Sequence, residues 1–461
     1  PTYNALALNS QGDMHYFFRS GSSGQTGVLY HLVESGASAV GSGSSSTSSF
    51  AYANDKVSVG TDHSCAIVDN GDLKCWGNDY YGQLGNGGSS TSPTNAPSST
   101  AIDLGTGRTA VTVFAGWRHN CAILDNGDLK CWGYDHSGQL GDGGTNTHVH
   151  APSSTAIDLG TGRTAVAVSA GEEHTCAILD NGELKCWGRD DYGELGDGGS
   201  NTDTTAPSTT AIDLGTGRTA VAVSAGELHT CAILDNGDLI CWGRDNHGQL
   251  GNGDYITGAQ TSPPSTAIDL GTGRTAVAVS AGSDHTCAIL DNGDMKCWGR
   301  DNAGQLGIAG SSSDITAPSS TAIDLGTGRT AVAVSAGHEH TCAIIDNGDL
   351  KCWGRDSNGQ LGNGGSNTNT DAPSSTAINL GTGRTAIAVS AGYKHTCAIL
   401  DNGAMKCWGD NYQGPLGNGG NTDQTSPVAV SGSNTWDSST GASSGSGGGM
   451  TDVTNAMSCV A

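Results

Sequence analysis

The sequence predicts an all-β protein assembled from one antiparallel unit repeated in tandem, and three observations carry that prediction. A histidine-marked stretch recurs at near-constant spacing. Each copy holds a hairpin signature. Glycine supplies 73 of the 461 residues while aromatic residues supply 5%, a turn-rich composition with little bulky core. The stretch reads G-S-D-H-T-C-A-I-L-D-N-G-D-M-K-C-W-G from Gly282 to Gly299. Its histidines are His63, His119, His174, His229, His285, His340 and His395, at steps of 56, 55, 55, 56, 55 and 55. Spacing this regular is the mark of a repeat architecture.

Within each copy, residues alternate with a period of two and break at Asp-Asn-Gly, a β-hairpin signal. With Asp69, Asn70 and Gly71 as a three-residue loop, Val68 faces Asp72, Ile67 faces Leu73 and Cys65 faces Cys75. A two-residue Asn-Gly turn would set Cys65 against Trp76 instead. Directly opposed strand residues have Cα atoms roughly 4.5–5.5 Å apart, within reach of a disulfide. Seven hairpin disulfides are therefore expected: Cys65–Cys75, Cys121–Cys131, Cys176–Cys186, Cys231–Cys241, Cys287–Cys297, Cys342–Cys352 and Cys397–Cys407. The competing reading, metal binding by His-x-Cys plus a second Cys, lacks the short Cys-x-x-Cys spacing of zinc sites. No metal or cofactor is expected. Seven copies of one catalytic histidine would be odd, so the seven histidines are read as buried, hydrogen-bonding structural residues.

Each full repeat runs in the same order. A strand such as Val166-Ala167-Val168-Ser169 leads through Ala-Gly and two variable residues into the hairpin. Cys-Trp-Gly then gives way to a turn ending Gly-Gln-Leu-Gly, varied by Glu194 in one copy and by Pro415 in the last. A polar loop closes with Ala-Pro-Ser, the expected strand Thr-Ala-Ile-Asp-Leu, and a Gly-Thr-Gly-Arg-Thr turn. Four short strands in about 55 residues are the content of one β-propeller blade. Residues 51–430 hold the seven full repeats. Residues 1–50 carry a partial repeat, a hairpin from Ala7 to Phe17 and a strand from Gly27 to Val33, followed by a Ser/Gly loop. By composition, residues 431–450 read as a flexible linker. Residues 451–461 resemble the opening strand of a blade, so the two ends together are expected to form a composite eighth unit, which leaves seven or eight blades open. Cys459 stands at the first-Cys position of that unit, opposite Tyr16, and is expected to be free or to link to another chain.

The full pattern, Gly-x-x-His-x-Cys-Ala-Ile, Asn-Gly-Asp-Leu, Cys-Trp-Gly and Gly-Gln-Leu-Gly about every 55 residues, resembles the regulator-of-chromosome-condensation repeat family. The likeness covers residues 51–430 strongly. It implies a propeller of four-stranded blades, usually seven, closed by joining the termini in one blade. It also implies a binding platform, since family members include exchange factors for a small GTPase, chromatin binders and a secreted enzyme inhibitor. The regular cysteine pairs and the acidity depart from the cytosolic and nuclear members, and no exchange-factor residue carries over.

Twenty basic against forty-five acidic residues leave a net charge of −25. Sixteen of the basic residues occupy repeated framework positions, beside acidic neighbours: six in Gly-Thr-Gly-Arg, four in Trp-Gly-Arg-Asp and six before the second Cys. Nucleic acid and anionic membranes need a concentrated basic surface, so neither is expected as a partner. No apolar run is long enough to span a bilayer. Paired cysteines suit an oxidising compartment, so a secreted, extracellular or cell-surface location is expected.

No catalytic constellation emerges, and a non-enzyme is expected. Function should lie where the copies differ. The pair before each histidine varies most: Thr61-Asp62, Trp117-Arg118, Glu172-Glu173, Glu227-Leu228, Ser283-Asp284, His338-Glu339 and Tyr393-Lys394. Around the central opening, Trp117, Arg118, Glu172, Glu173, Glu227, Asp284, His338, Glu339, Tyr393 and Lys394 form a candidate binding face, with drifted solvent-facing loops as the plain alternative. Two functions fit. One is a structural or adhesive protein that assembles with itself into fibres by exchanging terminal strands. The other is a monomeric module that binds an extracellular protein, as an inhibitor or receptor does.

Overall fold

The computed structural model describes residues 4–8, 14–17, 30–31 and 56–436, except for 89, 145–147, 200, 366–367 and 433–434. Every described element is a strand. Repeat 4 shows the unit in full: inner strand Ala220–Ala225, second strand His229–Leu234, third strand Leu239–Asp245 and outer strand Ile256–Gln260, each antiparallel to the next.

The hairpin register follows the Asp-Asn-Gly turn. Val68 N–H donates to the Asp72 carbonyl and Gly71 N–H to the Val68 carbonyl, at 2.9 and 2.8 Å. Gly71 takes φ +83°, a left-handed conformation open to glycine at little cost. Ile67 then pairs with Leu73 and Cys65 with Cys75. Counting outward from the hydrogen-bonded Val68/Asp72 pair puts the cysteines at a non-hydrogen-bonded pair, where opposed Cα atoms come closest. All seven cystines form, with Cα atoms 4.0–4.1 Å apart.

The core lies between neighbouring sheets. Ile178, Leu184 and Leu195 of repeat 3 pack against Ala232, Leu234, Ile240 and Trp242 of repeat 4, and the other seams repeat the arrangement. Small inner strands are what permit this closeness. A Cβ on Gly226 would lie 2.5 Å from the Gly282 carbonyl oxygen and 2.6 Å from His229 Cε1, so the Ala-Gly step cannot carry a side chain.

Three expectations need correction. The Ala-Ile-Asp-Leu segment is not a strand. Its Ile102 N–H donates once to the Leu73 carbonyl, at 2.9 Å, while Ile102 and Leu104 join the apolar cluster; one bond and two anchors hold it without a ladder. The outer strand instead arises in the polar loop, as Ser90–Thr94, Ile256–Gln260 and Gln424–Ala429 in repeats 1, 4 and 7. In repeats 2, 3, 5 and 6 it shrinks to single bridges such as Gly133 to Val149, because loops rich in Gly, Asn and Ser have little strand preference.

The third correction concerns closure. Repeats 7 and 1 join as directly as any other neighbours: Val59 N–H donates to Ser390 Oγ at 3.1 Å, and Trp76 Nε1–H to the Pro415 carbonyl at 2.8 Å. Among the described residues no unit stands between them. Thr435 and Trp436, near the start of the segment read as a linker, supply a clasp, while residues 437–450 lie outside the described residues. Trp436 N–H donates to the Gly403 carbonyl and Asp69 N–H to the Thr435 carbonyl, at 2.9 and 3.1 Å. Thr109 and Ala110 make the same two bonds between repeats 1 and 2, so Thr435 and Trp436 begin the inner strand that Val57–Val59 continues. Trp436 is 2% exposed and lies 5.5 Å from Trp76, centroid to centroid. The amino-terminal strands Asn4–Leu8, Met14–Phe17 and Tyr30–His31 form a sheet of their own. Residues 451–461, with Cys459, lie outside the described residues.

Candidate binding face at the axial mouth

A belt of histidines sets the geometry of the mouth. Each of the seven is at most 1% exposed. Its Nε2 lies 2.9–3.0 Å from the residue after the next repeat's histidine: Asn120, Thr175, Thr230, Thr286, Thr341, Thr396 and, closing the circle, Ser64. Those residues donate in turn to the backbone carbonyls of Gln83, Gln139, Glu194, Gln249, Gln305, Gln360 and Pro415. Six of the seven links are single hydroxyls whose one proton is thereby committed, so the imidazole Nε2 must carry the proton. Burial pushes all seven histidines down to about 3 or 4, which keeps them neutral at ordinary pH.

The seven tryptophans of the Cys-Trp-Gly steps donate Nε1–H to the same seven carbonyls at 2.8–3.1 Å. This explains the tolerance of Pro415. What the seam uses is the backbone carbonyl, which proline retains.

Anchored on this belt, the two variable residues divide their roles. The first of each pair lines a cavity of ≈ 190 Å³ on the ring axis: Thr61, Trp117, Glu172, Glu227, Ser283, His338 and Tyr393, over a wall of alanine and glycine. The second sits one step outward, its carbonyl accepting from the residue after Trp-Gly, as Glu173 accepts from Arg189 N–H at 2.8 Å. The predicted face is thus brought together as two concentric rings.

Its charges are distributed unevenly. Asp284 and Glu339 are buried and paired with Arg300 (3.1 Å) and with Arg355 respectively. Glu172 meets Arg189 at 3.3 Å, and Glu173 accepts from Ser137 Oγ at 3.1 Å. Glu227 accepts from the Ser283 hydroxyl and lies 3.8 Å from His338 Nε2. Burial, with Glu227 nearby, pushes Glu172 up to about 7. His338 is held below its usual value by burial, and its ring lies 4.0 Å from that of Tyr393. Lys394 Nζ stands 5.3 Å from the Tyr393 ring.

Sequence reasoning missed an aromatic patch beside repeats 1 and 2. Arg118 lies over Trp117 at 4.1 Å and over Tyr81 at 5.0 Å; Tyr81 meets Tyr80, Tyr134 and His148 at 4.8–5.0 Å. The signal was available: Tyr134 stands where Arg189, Arg244, Arg300 and Arg355 stand in repeats 3 to 6. Among the described residues, no group of three or more His, Cys, Asp or Glu could hold a metal ion.

Comparison with known proteins gives a consistent picture. The model of the RCC1-like domain matches residues 152–451, and that of the regulator of chromosome condensation (RCC1) repeat matches 55–83, 70–123 and 110–139. The ultraviolet-B receptor UVR8 of Arabidopsis thaliana is 32% identical over 330 residues, 70% of each chain. The human E3 ubiquitin-protein ligase HERC2 is 28% identical over 70% of this chain, which spans only 6% of that protein. Among solved structures, Prp20p of Saccharomyces cerevisiae superposes with a TM-score of 0.67 at 20% identity, covering 83% of this chain and 88% of its own.

Proposed function

This chain belongs to the RCC1 repeat family, and from that premise we propose that it is a non-enzymatic, protein-binding propeller whose partner docks on the axial mouth. One observation carries the reading. The framework is nearly invariant from repeat to repeat, yet the first residues of the variable pairs, of six kinds among seven repeats, converge on one cavity. Variation that was mere drift would not need to be held by a buried hydrogen-bonded belt. Prp20p, of like fold, is described by its binding to Gsp1p and histones. The seven cystines and the net charge of −25 favour an oxidising, extracellular setting and a protein partner rather than nucleic acid.

Between the two functions that fit the sequence, the direct closure of repeat 7 on repeat 1 favours the closed monomer over the fibre built by strand exchange. A ring whose last seam is satisfied by its own residues leaves no vacancy there for a neighbour's strand. The test is a paired one. The full chain should elute as a monomer, and a partner captured from its extracellular medium should be lost with Trp117→Ala plus Tyr393→Ala but kept with Arg218→Ala at the opposite end. Filaments in solution, or capture indifferent to the mouth, would overturn the reading.

A further inference from the structure

The geometry points to a lysine or arginine side chain of the partner protein as the group that enters the mouth, seated between the carboxylates of Glu172 and Glu227 and against the ring of Tyr393. This rests on the binding-face reading above and adds the chemistry of what binds there. Charge and shape agree on it.

Charge separates the inner ring from the outer. Among the acidic members of the outer ring, Asp284 and Glu339 each hold an arginine. In the inner ring Glu172 shares Arg189 at 3.3 Å, whereas Glu227 meets only the Ser283 hydroxyl and His338. Among the described residues no lysine or arginine ion-pairs with Glu227. Two carboxylates on adjacent repeats therefore face one opening with a single arginine ion-paired to them, Arg189, while Arg118 acts on Glu172 from farther off. Glu172 is pushed up to about 7 by burial and by Glu227, as expected of a carboxylate short of positive charge. A cation at the mouth removes that deficit.

The shape of the cavity suits a long side chain better than a free ion. Below the carboxylates the cavity wall is Ala115, Ala170, Ala225, Ala281, Ala336 and Ala391, an apolar sleeve suited to the methylene stem of lysine or arginine. Too few ligands converge for a metal, since calcium takes six or more oxygens. Tyr393 lines the same cavity; its ring, packed on one side by His338, already draws the Lys394 ammonium to 5.3 Å, as an aromatic face attracts a cation.

The experiment is selection of a phage-displayed random peptide library against the immobilised full chain, followed by affinity measurement on the selected peptides. The expected result is peptides sharing one basic residue. Replacing that residue by Gln should abolish measurable binding, and Glu227→Gln in the protein should weaken binding about tenfold, in keeping with the loss of one desolvated charge pair. Glu227→Asp keeps the charge and should lose less, and equal melting temperatures for both variants show that the fold is intact. Peptides that need Trp117 and Tyr393 but no basic residue, and bind Glu227→Gln unchanged, would overturn this inference while leaving the binding face standing. Peptides indifferent to every mouth variant, or no selected peptide at all, would overturn both.

Discussion

Glu194 shows how much a single atom type matters in this framework. Gln83, Gln139, Gln249, Gln305 and Gln360 use their side-chain oxygen to accept the backbone N–H two residues earlier, and Glu194 does the same from Tyr192 at 2.8 Å. The carboxylate is fully buried, its other oxygen has no partner, and burial pushes it up to about 7. A carboxyl whose folded pKa is raised gives its full contribution below the unfolded value, near 4.5, and loses it as pH rises toward 7. Glu194→Gln keeps the accepting oxygen and removes the titration. The variant should be more stable than the parent, by a margin that widens by about 2 kcal/mol between pH 5 and pH 8. Denaturant unfolding at the two pH values measures it, and a margin that stays flat would show that the buried carboxyl does not carry the cost assigned to it.

At the level of the element, the hairpin is held twice, by its turn and by its cystine. The turn sets register through Gly71 and its equivalents, and the cystine then bridges positions already opposed. Replacing both Cys176 and Cys186 by Ala should therefore cost about 3 kcal/mol, the chain-entropy figure for a short loop, without shifting Ile178 from Leu184. Chemical denaturation gives the loss; amide exchange across the hairpin reports the register. A slipped register would mean that the covalent bond, rather than the Asp-Asn-Gly loop, specifies the pairing. This was the most legible part of the sequence, because hairpin geometry is decided by a few adjacent residues. The outer strand was misread at the same scale. Ala-Ile-Asp-Leu has strand-like alternation, but its neighbour in space offers one hydrogen bond, a fact that no local pattern contains.

For the whole molecule, closure is the deciding event. A ring has no free edge between blades only if its last seam matches the others, and here Thr435 and Trp436 complete repeat 1 from the far end of the chain. Trp436→Ala removes a buried indole against Trp76 and should cost about 3–5 kcal/mol. Truncation after Val430 should lose at least as much, together with the cooperativity of unfolding, because repeats 1 and 7 would each expose an apolar face. Thermal unfolding followed at Trp fluorescence tests both. A truncated chain as stable as the parent would mean that the ring does not depend on this clasp. Composition had marked 431–450 as linker; a single tryptophan among glycines and serines was the available clue.

Taken alone, the order of amino acids determined the repeat, the hairpin register, the seven cysteine pairs and the buried character of the seven histidines. The register and the cysteine pairs are set by contacts within one repeat, and the repeat and its histidines by a periodicity countable in the chain, although each histidine's partner lies in the neighbouring repeat. Only the tertiary structure decided that seven sheets close on one another, that Trp436 is the clasp, and that one residue from each variable pair faces the axis. Those outcomes depend on contacts between residues one repeat or most of the chain apart, such as Ser64 with His395, and sequence separation of that size leaves no local trace.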